Sequence, residues 1–220
     1  MGVLQFIEDP SHDFVGHTVE YLEICGISIL LAIVIGVVLG VAVSRNPIAA
    51  FIAVNLSGLM RAIPVIAFLI AAIPILHTGN PPTIVALIVL GIPPILLNTY
   101  TGIRGIDPAT IDAARGMGMT IWQIITRIQT PLVLPIIAAG IRTSAVQIVA
   151  TATLAAIIGA GGYGDYIIDG VFTFKNDEIL AGAIPVAVLA MLIEVFMSWL
   201  QRVLTPAGLR VQESFEVAKA

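Results

Sequence analysis

The run Gly159–Gly164 has the spacing G-x-G-x-x-G, which in other proteins binds the pyrophosphate of a dinucleotide. That chemistry needs a β-strand before the first glycine and a helix after the last one. Here the run instead ends an apolar stretch that is long enough to be a membrane helix. We therefore expect an outer, flexible turn built on Gly161, Gly162 and Gly164, and no nucleotide site.

Other catalytic chemistry is also missing from the sequence. A P-loop needs Gly-Lys followed by Ser or Thr, but the two lysines, Lys175 and Lys219, stand in "FKN" and "AKA". The single cysteine, Cys25, can form neither an internal disulfide nor a metal cage. Three scattered histidines make no metal site, and no nucleophile–base pair or paired carboxylates suggest covalent chemistry. We expect no metal and no cofactor in this chain, and any ATP hydrolysis must occur in another polypeptide.

Three charged residues fall inside apolar stretches, where charge is costly and often functional. Arg61 precedes Pro64, which should kink its helix, while Arg142 and Glu194 lie within later stretches. These residues could line a polar pathway or form a gate. Alternatively, Arg61 could extend its side chain to the membrane surface, and Arg142 and Glu194 could pair between helices. The sequence leaves both interpretations open.

The elements that carry these residues must lie in lipid. The chain is 58% hydrophobic and 11% charged, against about 25% charged for a soluble domain. Stretches long enough to cross about 30 Å of hydrocarbon as helices lie at about 24–43, 56–76, 82–103, 135–158 and 179–201. The predicted fold is therefore an all-α polytopic membrane protein with five transmembrane helices and one domain, 1–220. Gly36 and Gly40 form a GxxxG step, which we expect to pack the first span within the chain rather than at a dimer seam.

The basic residues predict the orientation, because they concentrate on the cytoplasmic side. If the N-terminus lies outside, eight of the ten fall inside: Arg45, Arg61, Arg104, Arg115, Arg127, Arg202, Arg210 and Lys219. Lys175 lies on the other side. We expect the N-terminus outside, the C-terminus in the cytoplasm, and the 104–131 loop in the cytoplasm. No basic run suggests nucleic-acid binding.

The 104–131 loop should contain two short helices. Asp107 and Pro108 are typical of a helix N-cap and first position, and Gly118 can end that helix in a left-handed conformation. A second helix starts at Thr120 with capping-box spacing, and we expect Pro131 and Pro135 to stop it and to begin the fourth span. Ile121, Ile124, Ile125 and Ile128 fall on one apolar stripe. The small residues around Gly118 could form a docking surface or merely a solvated loop.

The loop resembles the cytoplasmic motif of bacterial ABC-importer permeases: Glu-Ala-Ala, three residues, Gly, nine residues, Ile-x-Leu-Pro. The spacing matches throughout, with Asp112 in place of Glu and Thr130 in place of Leu. The matching positions are Asp112, Ala113, Ala114, Gly118, Ile128 and Pro131, and Arg115 lies between them. In that family the loop docks into a groove on the ATP-binding subunit. The resemblance, over roughly residues 20–205, implies a type I importer permease fold similar to that of methionine importers.

The resemblance also implies the partners: two ATP-binding subunits that hold ATP and Mg, a second permease copy or paralogue, an extracytoplasmic binding protein, and the lipid of a bacterial cytoplasmic membrane. The acidic outer segment around Asp165 could help to dock the binding protein or could simply be solvated.

"LNTYTGIRGIDP" (97–108) and "AGIRTSAVQIVATATLAAIIGAGGYGDYI" (139–167) are most similar to permeases for glycine betaine, carnitine and choline. The alternatives are a methionine or other amino-acid permease, an ungated channel, and an integral membrane enzyme. A membrane enzyme would need a convergent ionisable cluster, which the sequence lacks.

Overall fold

The structure is a computed structural model that describes Ile7 and residues 12–205. All the regular elements of this part are helices, in agreement with the all-α prediction. They are α1 (Phe14–Ser44), α2 (Pro47–Ala62), α3 (Val65–Leu76), α4 (Asn80–Arg104), α5 (Pro108–Gly116), α6 (Ile121–Ile124), α7 (Thr130–Ala152), α8 (Tyr163–Thr173) and α9 (Asn176–Leu204). Two residues of the orientation argument, Arg210 and Lys219, lie outside the described residues.

The long helices run between two ends of the molecule. One end, the glycine-turn end, holds the starts of α1 and α4 and the turn at 159–162; the other, the loop end, holds the 104–131 loop. Among the described residues, four helices are long and apolar enough to cross a membrane, and the bent pair α2–α3 makes a fifth crossing if it is counted as one span. The pair does connect the two ends. Its first helix, α2, follows α1 at the loop end. Just after α3, the Gly79 N–H donates to the Ile158 carbonyl at 3.0 Å, at the glycine-turn end.

The second span is broken rather than only kinked. The sequence predicted one helix over 56–76 with a kink at Pro64, but α2 starts at Pro47 and the chain bends by 94° between α2 and α3. Ile63 and Pro64 are extended at the break. A proline disfavours helical geometry at the residue before it and has no N–H to donate, so Ile63-Pro64 can end one helix and precede another.

The fourth span differs most from the expectation. Pro131 and Pro135 were predicted to stop the loop helix, but α6 and α7 form one continuous helix, Ile121–Ile158, whose last turns are 3₁₀. A π-helical segment at Ile125–Gln129 lies directly before Pro131. The wider π turn changes the hydrogen-bond register, so a proline can enter the next turn without ending the helix.

The core forms where α1, α4 and α7 pack together. Glycines permit the closest contacts: a Cβ on Gly36 would lie 2.8 Å from Cβ of Ile95, and one on Gly40 would lie 2.5 Å from Cβ of Thr99. Both contacts are with α4, so the GxxxG step packs within the chain, as predicted. On the other side of α4, the buried Ser144 hydroxyl donates to the Gly91 carbonyl at 2.9 Å.

Candidate functional site

The bend in the 104–131 loop is fixed by backbone hydrogen bonds. Gly118 has φ +77°, a conformation that favours glycine. Its N–H donates to the Arg115 carbonyl at 2.9 Å, and the Met119 N–H donates to the Ala114 carbonyl at 3.2 Å. These two bonds form a Schellman motif, which satisfies the last carbonyls of α5. The left-handed glycine predicted from the sequence is therefore present.

Capping at both helix starts is also as predicted. Asp107 accepts a hydrogen bond from the Ala109 N–H at 2.8 Å, which caps α5. Thr120 and Gln123 form a reciprocal capping box at the start of α6, with bonds of 3.3 Å and 2.8 Å. Because every turn of the loop is tied to the backbone in this way, the loop holds a defined shape at the end of the molecule.

The exposed surface of the loop is different from the one expected. Ala114 is 0% exposed and Ile124 is 4% exposed, so these two residues hold the loop together rather than face outward. Met117, Ile121 and Trp122 are 74%, 75% and 72% exposed. Ile121 thus leaves the predicted apolar stripe, because it lies at the first position of α6, directly after the cap. We name Met117, Ile121 and Trp122 the apolar knuckle.

The apolar knuckle was not predicted from the sequence, because only the small residues around Gly118 were considered as a docking surface. The sequence did contain a signal for such a cluster. Three large apolar residues lie within one stretch of six residues that includes a turn, in a segment predicted to be outside the membrane. Exposed clusters of this kind mark interaction sites.

The remaining motif residues lie on α5, in the π segment and at the start of α7. Asp112 Oδ1 is 3.6 Å from Arg115 Nη1, and both side chains are largely exposed. Ala113 is exposed on α5, Ile128 is half-buried in the π segment, and Pro131 lies in the first turn of α7. Asp112 and Arg115 line a cleft rather than the outer surface.

Of the charged candidates within the spans, two contact each other. Nη2 of Arg142 on α7 is hydrogen-bonded to Oε1 of Glu194 on α9, and these side chains are 35% and 41% exposed. This is the interhelical pairing that the sequence left as an alternative. Arg61 and Pro64 lie elsewhere, at the exposed break between α2 and α3. The four candidates therefore do not form one site.

The glycine turn is a close-packed junction. A Cβ on Gly161 would lie 2.1 Å from Oε2 of Glu20, and one on Gly164 would lie 2.1 Å from the Thr153 carbonyl oxygen. Gly162, at φ +77°, lies against Tyr21. The turn was expected to be flexible. Instead, its glycines are where other parts of the chain approach the backbone.

The segment after the turn forms α8, whose two tyrosines pack inward. Tyr163 and Tyr166 are buried, and their hydroxyls donate to Thr18 Oγ1 at 2.8 Å and to the His12 carbonyl at 2.5 Å. Burial, with the nearby carboxylates of Asp13 and Asp165, raises the pKa of Tyr166 to about 12. Burial is also the main cause that raises the pKa of Asp165.

The residues that do face outward at this end are phenylalanines, which the sequence analysis did not single out. Phe172 is 78% exposed and Phe174 is 92% exposed, at the corner between α8 and α9. Phe174 has φ +56°, which ends α8 and turns the chain into α9. Next to them, Lys175 Nζ pairs with Glu178 Oε1 at 2.7 Å.

Comparison with known proteins gives one family. The family model "Binding-protein-dependent transport system inner membrane component" matches residues 32–208. The chain is 39% identical to the carnitine transport permease protein OpuCB of Listeria monocytogenes, over 95% of this chain and 96% of that protein. It is 38% identical to the glycine betaine/carnitine/choline transport system permease protein OpuCB of Bacillus subtilis (strain 168), over 94% and 96%.

Among solved structures, an inward-facing structure of the MetNI methionine ABC transporter is similar with a TM-score of 0.77 at 23% identity, covering 90% of this chain and 100% of that one. At this identity the likeness shows the fold, which is that of a type I ABC importer permease.

Proposed function

The chain belongs to the family of binding-protein-dependent transport system inner membrane components, and from this membership we propose that it is the permease subunit of an ATP-driven importer for quaternary ammonium osmoprotectants. The observation that carries the substrate class is the identity of 38–39% along almost the whole chain to permeases named for carnitine, glycine betaine and choline. The methionine alternative has weaker support, because the likeness to MetNI at 23% identity is one of fold.

The apolar knuckle is the proposed contact with the ATP-binding subunits. Met117, Ile121 and Trp122 expose more apolar surface than a solvated loop needs, and the Schellman motif and capping box hold them in one shape. Tryptophan is among the residues that contribute most at protein interfaces. ATP and Mg are held by these partner subunits, of which we expect two, and movement there is passed to this loop.

The break in the second span supports a second permease copy. Backbone that is not helical at membrane depth is tolerated only where protein covers it or where it lines a water-filled cavity. Arg61 through Pro64 are exposed in the single chain, so lipid alone cannot surround them. We place this break at the seam between two permeases, where Arg61 and Pro64 would border the translocation pathway.

The glycine-turn end is the proposed contact with the extracytoplasmic binding protein. Phe172 and Phe174 are exposed there, next to the Lys175–Glu178 pair. Aromatic residues are enriched at the cores of interfaces, and polar residues form their rims. This assignment places the N-terminus outside and the loop end in the cytoplasm, in a bacterial cytoplasmic membrane. It moves the predicted contact away from Asp165, whose pKa is raised by burial.

Uptake measurements test the substrate class. Cells with and without this chain, with its partner ATPase present throughout, would be given labelled glycine betaine, carnitine, choline and methionine. We expect deletion to abolish ATP-dependent uptake of at least one quaternary amine and to leave methionine uptake unchanged. Loss of methionine uptake alone would favour the amino-acid alternative. Uptake that persists in a further strain, which keeps this chain but lacks the ATPase, would favour a channel.

A further inference from the structure

A cleft of about 660 Å³ opens at the loop end, between the ends of α1 and α4, the helix α5 and the start of the Ile121–Ile158 helix. It lies apart from the apolar knuckle, none of whose residues lines it. The cleft is of interest because its lining is divided into a charged part and an apolar part.

The charged part is cationic. Three guanidinium groups, those of Arg45, Arg104 and Arg115, and one carboxylate, that of Asp112, line the cleft, which gives 3 − 1, or a net charge of +2. Arg115 is paired with Asp112 at 3.6 Å. Among the described residues, neither Arg45 nor Arg104 has a carboxylate partner. Two like charges therefore line the same cleft, and an anion between them would be attracted to both.

The apolar part comes from the membrane spans. Val41 of α1, Ile103 of α4, and Val133, Leu134 and Ile137 of α7 line the cleft on that side. Arg45 directly follows the last residue of α1, and Arg104 is the last residue of α4. The change from apolar to cationic lining thus falls where the spans end, which is the level of lipid headgroups.

We propose that this cleft binds an anionic phospholipid of the adjacent leaflet. The headgroup phosphate lies between Arg45 and Arg104, and an acyl chain lies along the apolar wall. Basic pockets between transmembrane helices on the cytoplasmic side are suited to such headgroups. A free phosphate would make no contact with the apolar wall. A neutral lipid would carry no net negative charge to pair with the arginines.

The bound lipid would also link three elements. Arg45 belongs to the end of α1, Arg104 to the end of α4, and Asp112 and Arg115 to α5, so a headgroup in the cleft braces the loop against two spans. This inference needs only that the chain lies in a membrane, and it does not depend on which solute is transported.

The test titrates the full permease in neutral detergent with dioleoyl-phosphatidylglycerol and measures the thermal unfolding temperature at each lipid concentration. Dioleoyl-phosphatidylcholine and inorganic phosphate serve as the other two probes. We expect phosphatidylglycerol alone to raise the unfolding temperature. A basic residue near an anionic lipid contributes about fivefold in affinity (about 1 kcal/mol), so the double variant Arg45→Gln/Arg104→Gln should raise the apparent Kd about 30-fold.

Matched variants keep the result interpretable. Arg127→Gln/Arg202→Gln removes the same charge at the loop end from residues that do not line the cleft, and its apparent Kd should stay near that of the wild type. Arg45→Lys/Arg104→Lys keeps the charge and should recover most of the affinity if the glutamine variant folds poorly. Equal loss in both glutamine variants, equal stabilisation by phosphatidylcholine, or the same shift with inorganic phosphate would each overturn the proposal.

Discussion

Two kinds of residue decide which substitutions the chain can tolerate: glycines at close contacts, and charged residues on membrane helices. Gly164 shows the first kind, because the Thr153 carbonyl oxygen occupies the space that a Cβ would need. Arg142 and Glu194 show the second kind, because each is only partly buried by its own chain yet lies on a membrane helix. In both cases the neighbour, rather than the residue itself, determines the cost of a substitution.

Gly164→Ala should therefore destabilise the permease. Its Cβ would lie 2.1 Å from the Thr153 oxygen, and overpacking of this kind costs about 1–3 kcal/mol. At about 2–4 °C per kcal/mol for a chain of this size, we expect the unfolding temperature to fall by about 2–12 °C. Gly26→Ala is the control, since nothing lies within 4 Å of its Cβ and alanine favours a helix. An equal fall in the unfolding temperature of both variants would argue against the close contact at Gly164.

The ion pair between α7 and α9 can be tested by exchanging its charges. Glu194→Gln leaves Arg142 unpaired in a membrane helix, at a cost of about 2–3 kcal/mol if the site is fully in lipid, so the unfolding temperature in nanodiscs should fall. The exchange Arg142→Glu/Glu194→Arg should restore most of the lost unfolding temperature, because it rebuilds the ion pair with the charges reversed.

Transport by the exchanged protein then separates the two interpretations. Normal uptake would mean that the pair only joins α7 to α9, whereas lost uptake with restored stability would place the pair in the pathway. An exchange as unstable as the single variant would show that pairing does not explain these residues.

Among the elements, the 104–131 loop was the most predictable from the sequence and the fourth span the least. Caps and C-terminal glycines act locally, so Asp107, Thr120 and Gly118 could be assigned from their neighbours alone. The π segment before Pro131 could not, because a proline in the sequence predicts a helix end and not a wider turn that lets the helix continue. The exposure of Trp122 and the burial of Ala114 were missed because the periodicity identifies an apolar face but not what covers it.

Removing the indole of Trp122 should weaken coupling without harming the fold. Its side chain is 72% exposed, so Trp122→Ala leaves no cavity, but loss of a tryptophan at an interface centre costs about 2 kcal/mol or more, or about 30-fold in affinity. We expect weaker co-purification of the ATP-binding subunit and slower uptake at unchanged membrane abundance. The chain's other tryptophan, Trp199, is 57% exposed on α9, and Trp199→Ala should leave that association intact. Similar association of the ATP-binding subunit with both variants would count against the apolar knuckle.

At the scale of the whole molecule, the α2–α3 pair supports the proposal of a second permease copy. The α2–α3 pair buries only Ala50, Ser57 and Leu69, although it is apolar on nearly all sides, and helices of that kind are normally enclosed. The number of crossings, their order and the loop between the third and fourth followed from hydropathy and length. The angle of the break at Pro64 could not be predicted, because a proline in the sequence indicates a bend but not its size.

A crosslink between copies tests the proposed second permease and the place of its contact. In a Cys25→Ala background, which removes the only cysteine, Phe51→Cys on α2 should form an intermolecular disulfide in membranes under mild oxidation. Val195→Cys on α9 is the control, because the two positions are similarly exposed, at 72% and 67%. Crosslinking at Val195 and not at Phe51 would place the seam on α9 instead.

The uninterrupted helix Ile121–Ile158 has a mechanical consequence. Its first residue belongs to the apolar knuckle and its last contacts Gly79 at the opposite end, so it is a lever about 57 Å long at 1.5 Å per residue. A tilt of about 5° around its midpoint would sweep each tip through about 2.5 Å, in opposite directions. Force applied at the loop end would thereby reach the glycine-turn end through one continuous helix.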